Sequence, residues 1–475
     1  MRRFRLIAPL FAASLLAAAA DYHLSPSGND ANPGSSPQSA WRTLARASKA
    51  QFQPGDRLLL EGGATFDGEL LLEATDAGTR EKPVTIGSYG TGKARILAGH
   101  GYGVLVRDAG GIVIEDLWIG GSGPKLNHGA GVAVVNTLNG SRKLEYIRIR
   151  RVEASGFGRT RKESEFHRAS GCGIYVGGDP DDRSESGFRD VVIEDSRVYD
   201  NEFFGILISS ANHPPKDDTR YAHEDVTIRR CQAFDNPGDP EFTDNHSGSG
   251  ILMSHTDRGL IEHCQAWNNG DRCGSKTGGP VGIWAWAANR ITIQYCESHH
   301  NKAPGHDGGG FDFDGGVSNS VMQYNYSHDN EGTGYLLYAY PGSPYRFENN
   351  VVRHCISRND GQHDHRAAIW IRNDDQKSLR NLEIHHNTFM YEPVGNDSGV
   401  VFVKNTQNAH FHHNAFITSG NAPLVQQEKN QGLRLEDNLY APGRGGFRVL
   451  WDGKEYTDFA TWVKETGQEA SSRPQ

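Results

Sequence analysis

The chain has 475 residues, of which 57 are glycine and 6 cysteine, and side-chain hydrophobics make up only 36%. Glycine at about 12% stands well above the ~7% of ordinary domains and takes the place of aliphatic residues, which disfavours a large close-packed helical core. A formal charge of −9 without a long Lys/Arg run argues against nucleic acid or an anionic membrane surface as partner. No stretch after the N-terminus approaches the roughly 18 apolar residues of a membrane span.

Residues 1–20 have the pattern of a cleavable signal peptide. Arg2, Arg3 and Arg5 precede the apolar run Leu6 to Ala17, and small residues Ala17 to Ala20 offer a cleavage site before Asp21. This predicts a secreted or periplasmic protein, and removal of three arginines takes the charge to −12. Residues 40–50 carry Trp41, Leu44 and Ala47 at helical spacing, with Pro54 and Gly55 ending the segment, and predict a helix that caps the N-terminal end of a longer repeat region.

From residue 103 to about 440 one unit recurs: a glycine or small residue, an alternating apolar strand, a turn and a second short strand. The first strands start at Gly103, Gly131, Gly173, Gly205, Gly250, Gly282, Gly310 and Gly334, with less regular copies at Ile369 and Val401. Spacings of 24 to 45 residues suit a solenoid whose turns accept insertions. In the second strands an aliphatic residue stands eight before an asparagine: Ile193 to Asn201, Ile228 to Asn236, Ile261 to Asn269, Ile293 to Asn301, Met322 to Asn330. Stacked on successive turns, about 4.8 Å apart, these amides can bond along the column. The same frame puts Cys231, Cys264 and Cys296 in one inward column of small residues, which favours buried thiols over disulfides. Past residue 443 the repeat fades, and Phe459, Trp462 and Val463 suggest a short amphipathic helix over the far end.

On these features, together with the segments Tyr22–Asp30 (YHLSPSGND), Pro54–Leu60 (PGDRLLL), Lys82–Gly90 (KPVTIGSYG) and Phe459–Gln468 (FATWVKETGQ), the chain resembles the pectate lyase-like right-handed parallel β-helix superfamily. The expected fold is all-β: a single-stranded right-handed parallel β-helix of roughly ten rungs with an N-terminal capping helix, over residues 21–443, and a C-terminal cap or tail over 444–475. The resemblance implies a carbohydrate-active protein. It leaves the reaction open, because this scaffold carries hydrolases, lyases, epimerases and binding proteins.

Alternation predicts which residues face outward. If Phe311 and Phe313 point inward, Asp312 and Asp314 point out, and the same phase exposes Trp284, Trp286, Tyr338, Trp370, Arg372 and Lys404 on nearby turns. Two carboxylates between flat aromatic faces and fixed cations describe a sugar cleft. An outward Asp-x-Asp, whose charges repel, has no evident stabilising purpose. The leading expectation is a glycoside hydrolase with Asp312 and Asp314 as catalytic carboxyls, Asp307 and His306 assisting, and the aromatic and basic residues binding sugar.

The alternative is a polysaccharide lyase acting on uronates by β-elimination, with Arg372 or Lys404 as base. The segment His306–Asp312 followed by Ser327–Tyr335 is similar to the calcium region of family nine pectate lyases, though the second run lacks their clustered aspartates. That resemblance implies calcium, if bound, at Asp307, Asp329 and Glu331; the hydrolase reading needs no cofactor or metal. A third reading is a non-catalytic carbohydrate-binding solenoid. The expected partner is a polysaccharide or oligosaccharide, and the expected state a monomer without membrane insertion. Insertions at 156–170, 177–190, 211–224, 237–249 and 270–280, rich in Gly, Asp, Ser and Pro, predict loops walling a short cleft or pocket.

Overall fold

The computed structural model describes residues 18–159, 165–212, 219–363, 366–375, 379–392 and 398–470. The signal peptide expected at 1–20 lies, save its last three residues, outside the described residues.

The alternating strands stack into three long sheets of 15, 14 and 13 strands, and successive passes of the chain feed them in the same order. In one pass His223–Arg229, Gln232–Phe234 and Ser249–Ser254 join the first, third and second sheet. Pairing is parallel until Val449–Trp451 meets Lys454–Tyr456 antiparallel. The ten strand starts read from the sequence all fall in the second sheet. Leu70–Leu72 before them, and Val425–Glu428 and Val449–Trp451 after them, lengthen the column.

Inward residues form continuous stacks: Ile206, Ile251, Ile283, Phe311, Tyr335, Ile369 and Val401 are register partners and fully buried. The recurrent glycine has a steric cause. A Cβ at Gly310 would stand 2.1 Å from Ser327 Oγ, so the chain passes that corner only without a side chain.

Two corners carry polar columns. Asn201, Asn236, Asn269, Asn301 and Asn330 each donate through Nδ2 to the next member's Oδ1 at 2.9–3.1 Å, and Asn330 donates to Asp360 Oδ1 at 2.7 Å. The other corner holds Cys231, Cys264 and Cys296 as free buried thiols, then passes through Asn325 and Cys355 to the amides Asn387, Asn414 and Asn438. Between the first and third sheets the chain turns on one left-handed residue per pass. Arg230, His263, Tyr295, Tyr324, His354, His386 and His413 have φ between +52° and +56°. Non-glycine residues adopt this region at a cost. Ring stacking from His263 through Tyr295 and Tyr324 to His354, at 4.9–5.1 Å, offsets part of it.

Asp360 ends the first amide column fully buried, with Oδ2 accepting from Ser357 Oγ at 2.7 Å. Burial raises its carboxyl to about 6, against the hydrogen bonds from Ser357 and Asn330 that lower it. A folded pKa above the unfolded value means the linked stability is complete below the ordinary aspartate range and is lost as pH rises through about 6. In Asp360→Asn, whose amide can continue the column, that loss, on the order of 2–3 kcal/mol, is expected to vanish. Denaturant melts of both proteins from pH 4 to 8 check this. Parallel curves would refute it.

The helix expected over 40–50 is shorter, Leu44–Ala47. Trp41 is extended and bridges Leu24, because Asp30 accepts from the backbone N–H of Arg42 and Thr43 and holds the preceding residues out of helix. Trp41, Leu44 and Ala47 are nevertheless buried, and Ser48 Oγ accepts from Leu71 N at 3.0 Å on the neighbouring strand. At the other end a helix spans Phe459–Thr466, capped by Asp458 and by the left-handed Gly467, with Trp462 fully buried.

Candidate active site

Phe311 and Phe313 of strand Gly309–Asp314 lie in the core, so Asp312 and Asp314 stand on the outer face of the second sheet. Parallel register aligns two rows across that face. One runs Leu252, Trp284, Asp312, Leu336, Trp370, Phe402, and the other Asp314, Tyr338, Arg372, Lys404. Above them opens a cavity of about 1290 Å3.

The cavity is lined by Asp307, Asp312, Asp314, His306, Trp284, Trp286, Tyr338, Trp370 and Arg372, which joins nine of the ten residues singled out in the sequence. Lys404 is not among the lining residues; its row continues past the cavity, and Nζ pairs with Glu428 at 2.8 Å. Asp329 and Glu331 also lie outside the lining. Asp329 binds His328 Nδ1 at 2.7 Å and the Asn359 amide at 2.6 Å, while Glu331 accepts from Ala303 N at 3.2 Å.

Three carboxyls share the floor with different surroundings. Asp312 is 3% exposed, and its Oδ1 has no hydrogen-bond partner among the described residues. Burial first, then the charges of Asp314 and Asp307, push it well above the usual carboxylate range. Asp314 is partly exposed and accepts from Gly315 N at 2.8 Å. Burial carries it to about 7, with Asp307 adding to the rise and the Gly315 N–H opposing it.

Asp307 sits in left-handed backbone, φ +63°, just before the strand, and Oδ2 accepts from Gly279 N at 2.8 Å. A side chain at Gly279 would collide with the His306 carbonyl at 1.6 Å, so only glycine lets this N–H approach. Burial holds Asp307 above the ordinary carboxylate range, with the positive field of Arg366 and the Gly279 N–H opposing the rise only in part.

Aromatic faces surround the acids. Phe204 and His246 pack on Trp284, His255 meets Trp286 edge-on, and Trp370 stacks on Phe402. Trp286 Nε1 donates to Tyr340 Oη at 2.7 Å. The indole N–H groups of Trp284 and Trp370 are buried and have no hydrogen-bond partner among the described residues. Arg372 is held by Asp374 at 2.7 Å and lies over Tyr338 and Trp370. His306 is exposed at the mouth, its Nδ1 3.3 Å from Arg366 Nη2; since guanidinium only donates, Nδ1 accepts.

Several lining residues escaped the sequence reading. Arg159, Phe242, His246 and Lys276 come from insertions on three different passes, and Tyr340 and Arg366 flank strands rather than lie on them. Periodicity is silent about loops, and no spacing signals which insertions share a face.

The family described as right handed beta helix region matches residues 151–356 and 277–416, more than half of the chain, and the protein belongs to it. Among curated proteins, a lacto-N-biosidase of Bifidobacterium longum is 23% identical over 88% of this chain. The chain spans about 30% of that relative's length. Among solved structures, the glycoside hydrolase family 136 lacto-N-biosidase from Eubacterium ramulus superposes with TM-score 0.63 at 20% identity, covering 89% of this chain and 68% of that one. The A-module of a mannuronan C-5 epimerase from Azotobacter vinelandii gives 0.51 at 14% identity, covering 82% and 88%. At these identities the two structures show a shared fold.

Proposed function

We propose that the protein is a glycoside hydrolase that cleaves an oligosaccharide bound in the cavity over the second sheet. The observation that carries this is the set of three carboxyls with unlike environments on the floor of one aromatic-walled pocket. The names of two relatives, both lacto-N-biosidases, support it. A volume of about 1290 Å3 exceeds the roughly 300–1,000 Å3 of drug-sized sites, which suits more than one sugar ring.

Glycoside hydrolysis needs one protonated and one ionised carboxyl. Asp314, near 7, is about half protonated at neutral pH and can both give and take a proton. The partner must be ionised. The sequence pairs Asp314 with Asp312, but Asp312 is driven furthest toward the neutral form with nothing opposing it, whereas Asp307, also raised by burial, has a guanidinium field and a backbone donor that favour its charge. Asp314 is therefore the acid and Asp307 the nucleophile or base. Asp312, neutral, is a hydrogen-bond donor that keeps a second negative charge away from them. Trp284, Trp286 and Trp370 offer ring faces to pyranose rings, and Arg372 orients hydroxyls.

Incubation with a panel of oligo- and polysaccharides, with and without chelator, tests the reaction class. New reducing ends without ultraviolet-absorbing unsaturated ends are expected, unchanged by chelator. Unsaturated ends lost on chelation would establish the lyase reading instead. Trp370→Ala is expected to raise KM about tenfold, ~1.4 kcal/mol, with kcat little changed, because it removes a stacking face and touches no reacting atom. A fall in kcat with unchanged KM would remove Trp370 from the binding surface.

A further inference from the structure

His410 and His412 stand two apart on strand Gln407–His412 of the first sheet, and Glu383 of the adjacent strand Leu379–His385 is the register partner of His410. All three are partly exposed. Glu383 Oε1 lies 3.2 Å from His410 Nδ1 and 3.2 Å from His412 Nε2. Two ligands held about 2.0–2.1 Å from a tetrahedral zinc ion stand about 3.3 Å apart, close to the spacing of both carboxylate–imidazole pairs, and all three ligand atoms lie within 4.8 Å of one another.

Each ring also has a partner outside the set. His410 lies between two carboxylates, since its Nε2 is also 3.2 Å from Glu436 Oε2. A neutral imidazole has one N–H and serves one of them. His412 likewise reaches Glu383 through Nε2 and His413 through Nδ1 at 3.0 Å. Arg434 Nη2 serves the second carboxylate, donating to Glu436 Oε2 at 2.6 Å and standing 3.4 Å from His410 Nε2, which leaves His410 Nδ1 and His412 Nε2 both turned to the one Glu383 oxygen. The stacked rings Tyr295 and Tyr324 at the bends form a contrast: their faces meet at 5.1 Å without converging on any point.

We propose that Glu383, His410 and His412 form a binding site for a borderline divalent transition-metal ion, zinc above all, with water at the fourth position. Two strands of the first sheet supply the ligands, whereas the cavity opens on the second sheet. The ion ties consecutive passes of the coil together, and the site does not depend on the glycosidase reading.

Calorimetric titration of chelator-treated, desalted full chain with zinc chloride at pH 7.5 tests it. The paired variant H410A/H412A is expected to bind one equivalent less than wild type. The other two histidine–carboxylate groups, Glu297, His299 and His328, and His300, His328 and Asp329, are left intact in it. Glu383→Gln is expected to weaken zinc affinity about 10- to 100-fold, as loss of one of three ligands should. Zinc should also raise the melting midpoint of wild type more than that of the paired variant. Equal stoichiometry in wild type and paired variant, or no zinc bound by wild type, overturns the proposal. Should the paired variant fail to fold, His412→Gln, which keeps size and polarity, decides: unchanged zinc binding refutes the site and weakened binding supports it.

Discussion

Asp314→Asn is expected to lower kcat about 10²–10⁴-fold on a natural glycoside, the usual contribution of a general acid. The loss should be far smaller on an aryl glycoside whose leaving group departs without a proton. Asp307→Asn should abolish turnover on both, because a nucleophile or base is needed whatever the leaving group. Asparagine cannot ionise at that position. The wild-type pH profile should fall on the alkaline side through about 7: the acid must be protonated, and Asp314 loses its proton there. In Asp314→Asn that limb should disappear. Steady-state kinetics on the two substrate types from pH 4 to 9 provide the measurement. If Asp312→Asn abolishes activity on both substrates while Asp307→Asn leaves the aryl glycoside turning over, the roles of Asp307 and Asp312 are exchanged.

Asn269→Ala should destabilise the fold by about 2–4 kcal/mol, since each buried polar group left unpaired costs roughly 1–3 kcal/mol. The amide donates to Asn301 Oδ1 at 2.9 Å and Ala233 O at 3.1 Å, and accepts from Asn236 N at 3.2 Å and Asn236 Nδ2 at 2.9 Å. Alanine removes all four bonds at a position without solvent access, although Asn301 Oδ1 still accepts from Asn269 N at 3.3 Å and Asn236 Nδ2 still donates to Val198 O at 3.4 Å. Asn381→Ala removes an amide of similar size from an exposed column, Asn319, Asn349, Asn381 and Asn408, and should cost only about 1 kcal/mol, because water replaces the lost bonds and the loss comes mainly from placing alanine in left-handed backbone at φ +55°. Equilibrium unfolding of the two variants side by side checks the contrast. Equal small effects would mean that the buried column is not what holds the corner.

The parts of the site legible in the sequence were those governed by a period of two. Once Phe311 and Phe313 were assigned inward, Asp312 and Asp314 had nowhere else to point, and the same phase placed Trp284, Tyr338, Trp370 and Arg372 around them. Lys404 shows the limit of that logic. Its row is as expected, but alternation tells which face a residue occupies and not how far along the coil the walls extend. His246 and Arg366 were invisible for another reason: they reach the cavity from loops, where tertiary contacts alone decide position. The expected helix near Trp41 shrank because Asp30, more than ten residues away, claims the backbone N–H groups that a helix start would leave unpaired. Local spacing holds no trace of such a contact.

The first amide column has a further role when its extent is compared with the site. It occupies the corner leading into strands Phe204–Ser210 through Tyr335–Ala339, which supply Phe204, Leu252, Trp284, Asp312, Asp314 and Tyr338, and it ends at Asp360, before Arg366 and Trp370. Transition-state stabilisation depends on charges held in place before the substrate arrives, within a few tenths of an ångström. A chain of amides, each bonded to the next at both ends, sets the rise from one pass to the next more rigidly than apolar packing does. The preorganisation of the two acid-bearing strand positions thus originates in a row of uncharged side chains on the inner side of the coil, out of reach of any sugar.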